Sequence, residues 1–210
     1  AWLESLGAVA GSGLGVSGDL VFDARWDASI GRELRLQAEL ERSRGDLTLQ
    51  ADATEGPAAR VAAGLRAARL SLTAQAQQVA LAWLWDSERA GRAEGRVRTL
   101  LQRDAQGQWT WPEQAAVEGR AQVQLPRLGV WSVLAPPGWR LRGSAEADLT
   151  LAGTRAQPQL TGTLKADALS LRSVVDGVEL RNGLLRASFS GQRLVVEEFV
   201  LRGAGETGGL

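Results

Sequence analysis

The residues best suited to chemistry are a pair of adjacent carboxylates and two glycine clusters. Glu197 and Glu198 adjoin each other, and paired carboxylates are a common means of general acid–base catalysis. Adjacent residues of a strand face opposite sides, however, so this pair favours a bulge over a catalytic dyad. The clusters Gly11–Gly15 and Gly203–Gly209 have no following lysine and no strand-to-helix setting, which phosphate-binding loops require. We interpret both clusters as turns or linkers.

The missing residue types exclude whole classes of site. The 210 residues contain no Cys, His, Met or Tyr. Without Cys and His, the usual zinc, haem and iron–sulfur ligand sets and the His-based triads cannot form. We therefore expect no metal, no cofactor and no enzymatic activity. The chain has 24 basic and 24 acidic residues, for a net charge of zero, which argues against a nucleic-acid partner.

The eight tryptophans allow two interpretations. In extended backbone, Trp83 and Trp85 share one face, as do Trp109 and Trp111. Such pairs are typical of core and cross-strand packing. They also suit the edge of a path for an apolar ligand, and the sequence leaves both roles open.

Apolar and polar residues alternate along nearly the whole chain, a pattern that predicts strands with one apolar and one polar face. The longest such segment begins at Trp139, whereas globular strands usually have about five or six residues. Its apolar or small positions are Leu141, Gly143, Ala145, Ala147, Leu149 and Leu151. Similar segments begin near Leu20, Leu34, Leu47, Leu70, Val79, Val117, Leu160 and Leu185. The chain is therefore predicted to be mostly β.

The alternation slips by one residue at two places. Leu164 and Ala166 are followed by Leu169, and Val196 is followed by Phe199. The apolar residues stay on one face across such a slip only if a bulge or turn intervenes. Bulges are therefore predicted at Asp167–Ala168 and Glu197–Glu198.

Helical spacing of apolar residues predicts one or two short amphipathic helices. The first set is Trp2, Leu3, Leu6 and Val9; the second is Leu128, Trp131 and Leu134, which ends before Pro136. A glycine and a long strand follow each, which indicates a diverged internal repeat. We predict a single elongated β domain over residues 1–210, with candidate repeat modules 1–125 and 126–210. Because the chain has no Met, we interpret it as an internal segment of a longer protein.

Three stretches carry a resemblance to a known family. They are WSVLAPPGW (131–139), LAGTRAQPQLTGTLKADALSLRS (151–173) and VVDGVELRNGLLRASFSGQRLVVEEFVLRGAGETGG (174–209). Together they resemble the C-terminal region of the TamB family, within the wider AsmA-like group. The resemblance implies a long sheet curled like a taco around an apolar concave groove. It also implies a periplasmic location, in a parent protein anchored in the inner membrane and reaching the outer membrane.

The resemblance further implies a function and partners. These are inner-to-outer membrane phospholipid transport and outer-membrane protein assembly, together with a TamA-like outer-membrane barrel. The physics suits a groove, because a two-chain phospholipid has about 30 methylenes, each worth about 0.8 kcal/mol when removed from water. The predicted client is phospholipid or an unfolded outer-membrane β-strand. The predicted lining residues are Leu141, Leu149, Leu151, Leu160, Leu164, Leu185, Phe189, Leu194, Val196, Phe199 and Leu201.

Two alternatives remain open from the sequence. In the first alternative, the chain is a chaperone that templates client strands at its open sheet edges without conducting lipid. In the second, it is a structural, adhesin-like β domain whose apolar face packs into a conventional filled core.

Overall fold

The computed structural model describes residues 16–51, 59–136, 138–173 and 175–203. The helix predicted over Trp2 to Val9, the glycine cluster Gly11–Gly15 and most of Gly203–Gly209 lie outside these residues. The strands are β1 Val16–Gly18, β2 Val21–Ile30, β3 Leu34–Arg44, β4 Leu47–Ala51, β5 Ala59–Ala62, β6 Leu65–Ala76, β7 Gln78–Ser87, β8 Gly91–Leu100, β9 Gln102–Arg103, β10 Trp109–Thr110, β11 Val117–Leu125, β12 Trp139–Gly153, β13 Pro158–Ser173, β14 Val178–Gly191 and β15 Arg193–Gly203.

Ten strands form one antiparallel sheet in the order β15-β14-β13-β12-β11-β8-β7-β6-β3-β2. Each strand of this main sheet pairs with the main-sheet strand that precedes or follows it along the chain, so the topology is a meander. Within the described residues, β2 and β15 each have one neighbour, so the sheet is open. This confirms the predicted mostly β fold and is consistent with the curled, taco-like form.

Two small elements interrupt the meander. Strands β4 and β5, between β3 and β6 in the chain, form a separate three-stranded sheet with β1, and β9 and β10 form a short hairpin between β8 and β11. The three-stranded sheet joins the main sheet at the end of β7, where the Ser87 hydroxyl donates to the carbonyl of Ala63 (2.6 Å). These insertions lie at the ends of the main strands and leave the ten-stranded pairing unbroken.

The second predicted helix is present as a 3₁₀ helix, Leu128–Leu134, between β11 and β12. Leu128 is buried, and the indole N–H of Trp131 donates to the carbonyl of Ala90 (3.1 Å). The Ser132 hydroxyl accepts from the N–H of Leu141 (2.8 Å). The helix is therefore fixed across the ends of β8 and β12.

Both predicted bulges are present. The pairing of β12 and β13 shifts where Arg142 and Ser144 face Ser170 and Asp167, so β13 has one extra residue there. Ala168, within this bulge, has a φ of 50°. In β15, Val196 and Glu198 face consecutive residues of β14, which leaves Glu197 unpaired. Each bulge returns the following apolar residues to the original face and bends the sheet.

Strand β8 was not predicted, because its sequence GRAEGRVRTL has small residues where an apolar strand face is expected. A Cβ built on Gly95 lies 2.2 Å from Cζ2 of Trp83 on the neighbouring strand. The tryptophan ring therefore occupies the space over the glycine. Strand β8 contributes little apolar area of its own, because Trp83 of the neighbouring strand β7 supplies the apolar surface at this position.

Asp46 joins the small sheet to the main sheet through its carboxylate. Oδ1 accepts from the N–H groups of Leu47 (2.7 Å) and Leu65 (3.0 Å), and Oδ2 accepts from the N–H of Gly64 (2.9 Å). Burial raises the pKa of Asp46, but the three backbone hydrogen bonds and Arg42 lower it by more, so the net pKa lies below the ordinary 3.8. The folded state therefore favours the ionised carboxylate.

We expect Asp46→Asn to lower the free energy of unfolding by about 1–3 kcal/mol near neutral pH, because the amide replaces one acceptor oxygen with a donor. A depressed folded pKa stabilises the fold above the unfolded pKa, and this stabilisation is lost as the pH falls through the folded value. The difference in free energy of unfolding between wild type and variant should therefore become smaller at low pH. Urea denaturation near pH 7 and near pH 3 measures it, with Asp23→Asn on β2 as the control. An equal gap at both pH values would contradict this assignment.

Candidate apolar ligand surface

One face of the main sheet is apolar from edge to edge, and strand pairing places its residues in continuous rows. Directly paired residues lie on the same face of a sheet. One row contains a residue from each of the ten strands. It runs through Ala24, Leu40, Leu70, Trp83, Gly95, Ala121, Leu149, Gly162, Phe189 and Leu194. We call the face that contains this row the apolar face.

All eleven predicted lining residues lie on the apolar face, at its β12–β15 end. Leu149 and Phe189 face each other across Gly162, and Leu194 continues that row. The other eight fall in the neighbouring rows and on both sides of the two bulges: Leu141, Leu151, Leu160, Leu164, Leu185, Val196, Phe199 and Leu201. Their shared face follows from the pairing, while their role as lining for a ligand remains a prediction.

Sequence reasoning missed the first half of this surface. Strands β2, β3, β6, β7 and β8 continue the same rows, so the apolar face extends well beyond the predicted residues. The signal was present in the alternation of Leu34, Leu36, Leu70 and Leu72. The rows emerge only from the pairing of strands, which alternation alone does not give.

The apolar face is not covered by a second layer in the described residues. Apart from neighbouring strands, the most extensive contacts between described elements are those of the 3₁₀ helix with β12 and β4. Trp83, Leu149 and Leu164 are accordingly only half-buried. Toward the edges the exposure rises, to 75% for Trp26 and 57% for Phe199. Large side chains that are half-buried near the centre and exposed toward the edges disfavour the filled-core alternative and leave an accessible apolar wall.

Small residues give this wall its depth. Gly95 and Gly162 belong to the row described above, and the adjacent Ala147 and Ala187 flank Leu164. Gly162 has a φ of 140°, and a Cβ built on it lies 2.0 Å from the carbonyl oxygen of Asp148. Glycine is therefore required at this position, where two strands approach each other closely. The ring of Trp83 fills the space over Gly95, whereas Ala147 and Ala187 lie on either side of the larger Leu164.

The two predicted tryptophan pairs lie in different settings. Trp83 and Trp85 lie on the apolar face, as predicted, since they pair with Gly95 and Ala93. Trp109 lies in β10, whereas Trp111 lies beyond the end of that strand at Thr110. The indole N–H of Trp111 instead donates to the hydroxyl of Thr99 (2.8 Å). Trp111 is therefore joined to β8 by a hydrogen bond, whereas Trp83 and Trp85 lie on the apolar face.

The opposite face is polar and is held by ion pairs between neighbouring strands. These join Arg69 to Glu39 and Glu41, Arg92 to Asp86, Arg98 to Glu118, Arg120 to Asp148 and Arg186 to Asp167. Hydrogen bonds from Arg120 (2.8 Å) and Gln122 (2.9 Å) lower the pKa of Asp148. Exposed pairs of this kind contribute little stability each. Their presence shows that this is the face turned to water.

Glu197 and Glu198 are not placed as a catalytic dyad. Glu198 pairs with Arg186 on the polar face, and Glu197 is the bulged residue. Arg193 and Arg202 also lie on the polar face, because they pair with Ser190 and Arg181. In the described part of the chain, no helix has both the length and the apolar character needed to cross a bilayer.

Searches of curated proteins and of solved structures gave no match. A family model described as "TamB, N-terminal domain" matches residues 6–166. The match covers most of the chain and includes the first half, which lies outside the three stretches that carry the resemblance. It describes an N-terminal domain, so the expected C-terminal placement is not confirmed. The chain belongs to the TamB family.

Proposed function

We propose that the apolar face carries phospholipid acyl chains between the inner and outer membranes, in the periplasm, as part of a TamB-like protein. The parent protein is anchored in the inner membrane and acts with a TamA-type barrel in outer-membrane assembly. The observation that supports the proposal most strongly is the ten-residue apolar row with no covering layer in the described residues. Family membership supports the broader role in a translocation and assembly module.

The dimensions suit a conduit better than a pocket. Ten strands about 4.8 Å apart give a wall about 43 Å long. One acyl chain needs about half of a hydrocarbon core that is about 30 Å thick. The wall is therefore longer than a single lipid, and a lipid can shift along it while its chains remain on apolar side chains. Continuous contact avoids the cost of exposing about 30 methylenes to water at any stage.

The same surface requires no reacting groups. On the polar face Arg69, Arg98 and Arg120 are each paired with a carboxylate on a neighbouring strand, and the apolar row presents hydrocarbon and indole side chains. We propose a binding and transfer role without catalysis and without a cofactor. A chaperone role for outer-membrane β-strands is the second candidate, and the exposed edge strands β2 and β15 favour it.

Lipid analysis of the purified 210-residue chain tests the proposal. The chain is expressed in the periplasm of a Gram-negative host, purified without detergent, and extracted for mass spectrometry. We expect phospholipid near stoichiometric amounts, with no preference among headgroups, because the wall contacts acyl chains. A chain that carries no phospholipid, yet binds denatured outer-membrane protein, would favour the chaperone role instead.

A further inference from the structure

A polar cavity of about 440 Å³ lies at one rim of the main sheet. Three segments form it: the turn between β2 and β3, the turn between β6 and β7, and the β9–β10 hairpin. The polar and aromatic residues that line it are Arg32, Glu33, Gln77, Gln102, Arg103 and Trp109. The N–H of Leu101 donates to the carbonyl of Gln77 (2.8 Å), which fixes the hairpin to the second turn. The volume lies within the range of about 300–1,000 Å³ that is usual for small-molecule sites.

Two guanidinium groups give the cavity a positive charge. Arg32 is exposed in the first turn, and its side chain makes no hydrogen bond or ion pair within the described residues. The Nε and Nη2 atoms of Arg103 donate to the carbonyl of Gly107 (2.9 and 2.7 Å), and its guanidinium lies 6.0 Å from the centre of the Trp109 ring. Because a guanidinium has five N–H donors, Arg103 is held in place and still has donors for a ligand. The planar arrangement of these donors suits phosphate oxygens.

The carboxylates of the same segments are engaged elsewhere. Glu33 pairs with Arg35 of β3 (3.2 Å). Asp104, in the hairpin, accepts from two backbone N–H groups of the hairpin (3.0 and 2.8 Å). The positive charge of the two guanidinium groups therefore remains available to an anionic ligand.

The cavity adjoins the apolar face. Ala76 also lines it and pairs with Leu34, so Ala76 is the last residue of the apolar face on β6. From Ala76 this face continues along β6 through Ala74 and Leu72 to Leu70, which is 43% exposed. At about 3.3 Å per residue, Ala76 and Leu70 lie about 20 Å apart. This length exceeds the half of a hydrocarbon core, about 15 Å, that one acyl chain occupies. An acyl chain can therefore lie along β6 with its polar end in the cavity.

The opposite end of β6 is closed. Strand β6 begins at Leu65, which is only 4% exposed and pairs with Ser87. Ala63, in the preceding connection, is fully buried, and its carbonyl accepts the hydrogen bond from the Ser87 hydroxyl. Ala76, at the cavity end, is exposed. Of the two ends of β6, the cavity end is therefore the one at which a polar headgroup can reach water.

We propose that this cavity binds the phosphodiester of a phospholipid whose acyl chain lies along β6, with Arg32 and Arg103 donating to the phosphate oxygens. The proposal rests on the proposed function and adds a fixed orientation of the lipid, since its chain follows the strand. The phosphodiester is common to phospholipids, so the site does not select among headgroups. Free phosphate would fill the cavity and leave the adjoining apolar surface exposed, which favours a phospholipid as the occupant.

Isothermal titration calorimetry of the lipid-free chain with matched lipids tests the site. The probes are lauroyl lysophosphatidylcholine and monolauroylglycerol, which has the same acyl chain and no phosphate, each below the concentration at which it forms micelles. Arg32→Gln and Arg103→Gln should each raise the Kd for the lysophospholipid about threefold to tenfold and leave the Kd for monolauroylglycerol unchanged. Arg193→Gln, which removes the same charge from the same rim outside the cavity, is the control and should bind both lipids like wild type. Circular dichroism verifies that each variant keeps its strand content.

Sodium phosphate alone distinguishes a lipid site from a general phosphate site, and we expect it to bind much more weakly than the lysophospholipid. Unchanged lysophospholipid affinity in both cavity variants, an equal loss in Arg193→Gln, or equally tight binding of sodium phosphate would overturn the proposal. Equal affinities for the two lipids in every variant would rule out this site and leave the proposed function in place. A wild type that binds neither lipid would contradict both.

Discussion

Replacing Leu149 or Phe189 with arginine should lower the phospholipid bound per chain by at least about tenfold. Both residues lie in the ten-residue row at the β12–β14 part of the wall. An unpaired guanidinium placed among acyl chains costs more than the about 1.4 kcal/mol that corresponds to a tenfold change. Mass spectrometry of extracted lipid, normalised to protein, measures the effect.

The control for this prediction is Thr163→Arg. Thr163 is exposed on the polar face of β13, beside the same strands, where it pairs with Asp148 and Ser188. The Thr163→Arg substitution adds the same side chain to the opposite face of the sheet, so the amount of bound lipid should stay at the wild-type level. If the three variants lose lipid equally, the loss reflects damage to the sheet and the apolar face is not the binding surface.

Gly162→Ala should lower the free energy of unfolding by about 2–3 kcal/mol. The backbone at Gly162 has a φ of 140°, which side chains rarely adopt, and the added Cβ meets the carbonyl oxygen of Asp148 at 2.0 Å. Either β12 and β13 separate at this position or the backbone carries the strain. Chemical denaturation of the lipid-free chain measures the change.

Gly31→Ala serves as the matched control. Gly31 lies in the bend between β2 and β3 with an ordinary φ, and a Cβ built there has no neighbour within 4 Å. The same substitution should therefore leave stability nearly unchanged. A Gly162→Ala variant as stable as Gly31→Ala would contradict the close approach of β12 and β13 at the centre of the wall.

Much of the fold follows from alternation alone. A period of two gives both the strand assignment and the face of each residue, as in β12, and a slip of one residue gives the bulges at Asp167–Ala168 and Glu197–Glu198. The 3₁₀ helix follows from the spacing of Leu128, Trp131 and Leu134. These features are local, so the sequence of one segment contains enough information to predict them.

The features that the sequence did not predict depend on contacts between distant segments. Strand β8 has an interpretable face only when Trp83 is seen to fill the space over Gly95. The first half of the apolar face required the pairing of β6 with β3 across the inserted small sheet. Likewise, the function of Asp46 depends on three N–H groups, two of which lie 18 and 19 residues further along the chain.

Photo-crosslinking to lipid along β13 tests the central claim most directly. A photoreactive residue is placed in turn at each position from Leu160 to Leu171, and crosslinked phospholipid is quantified. The apolar face predicts labelling at Leu160, Gly162, Leu164 and Ala166, then a shift of one residue to Leu169 and Leu171 beyond the bulge. Where the substitution unfolds the chain, as expected at Gly162, the face of that position is inferred from the labelling of the adjacent positions in β13. Uniform labelling, labelling on the polar face, or an alternation that continues through Ala168 without the shift would contradict the account.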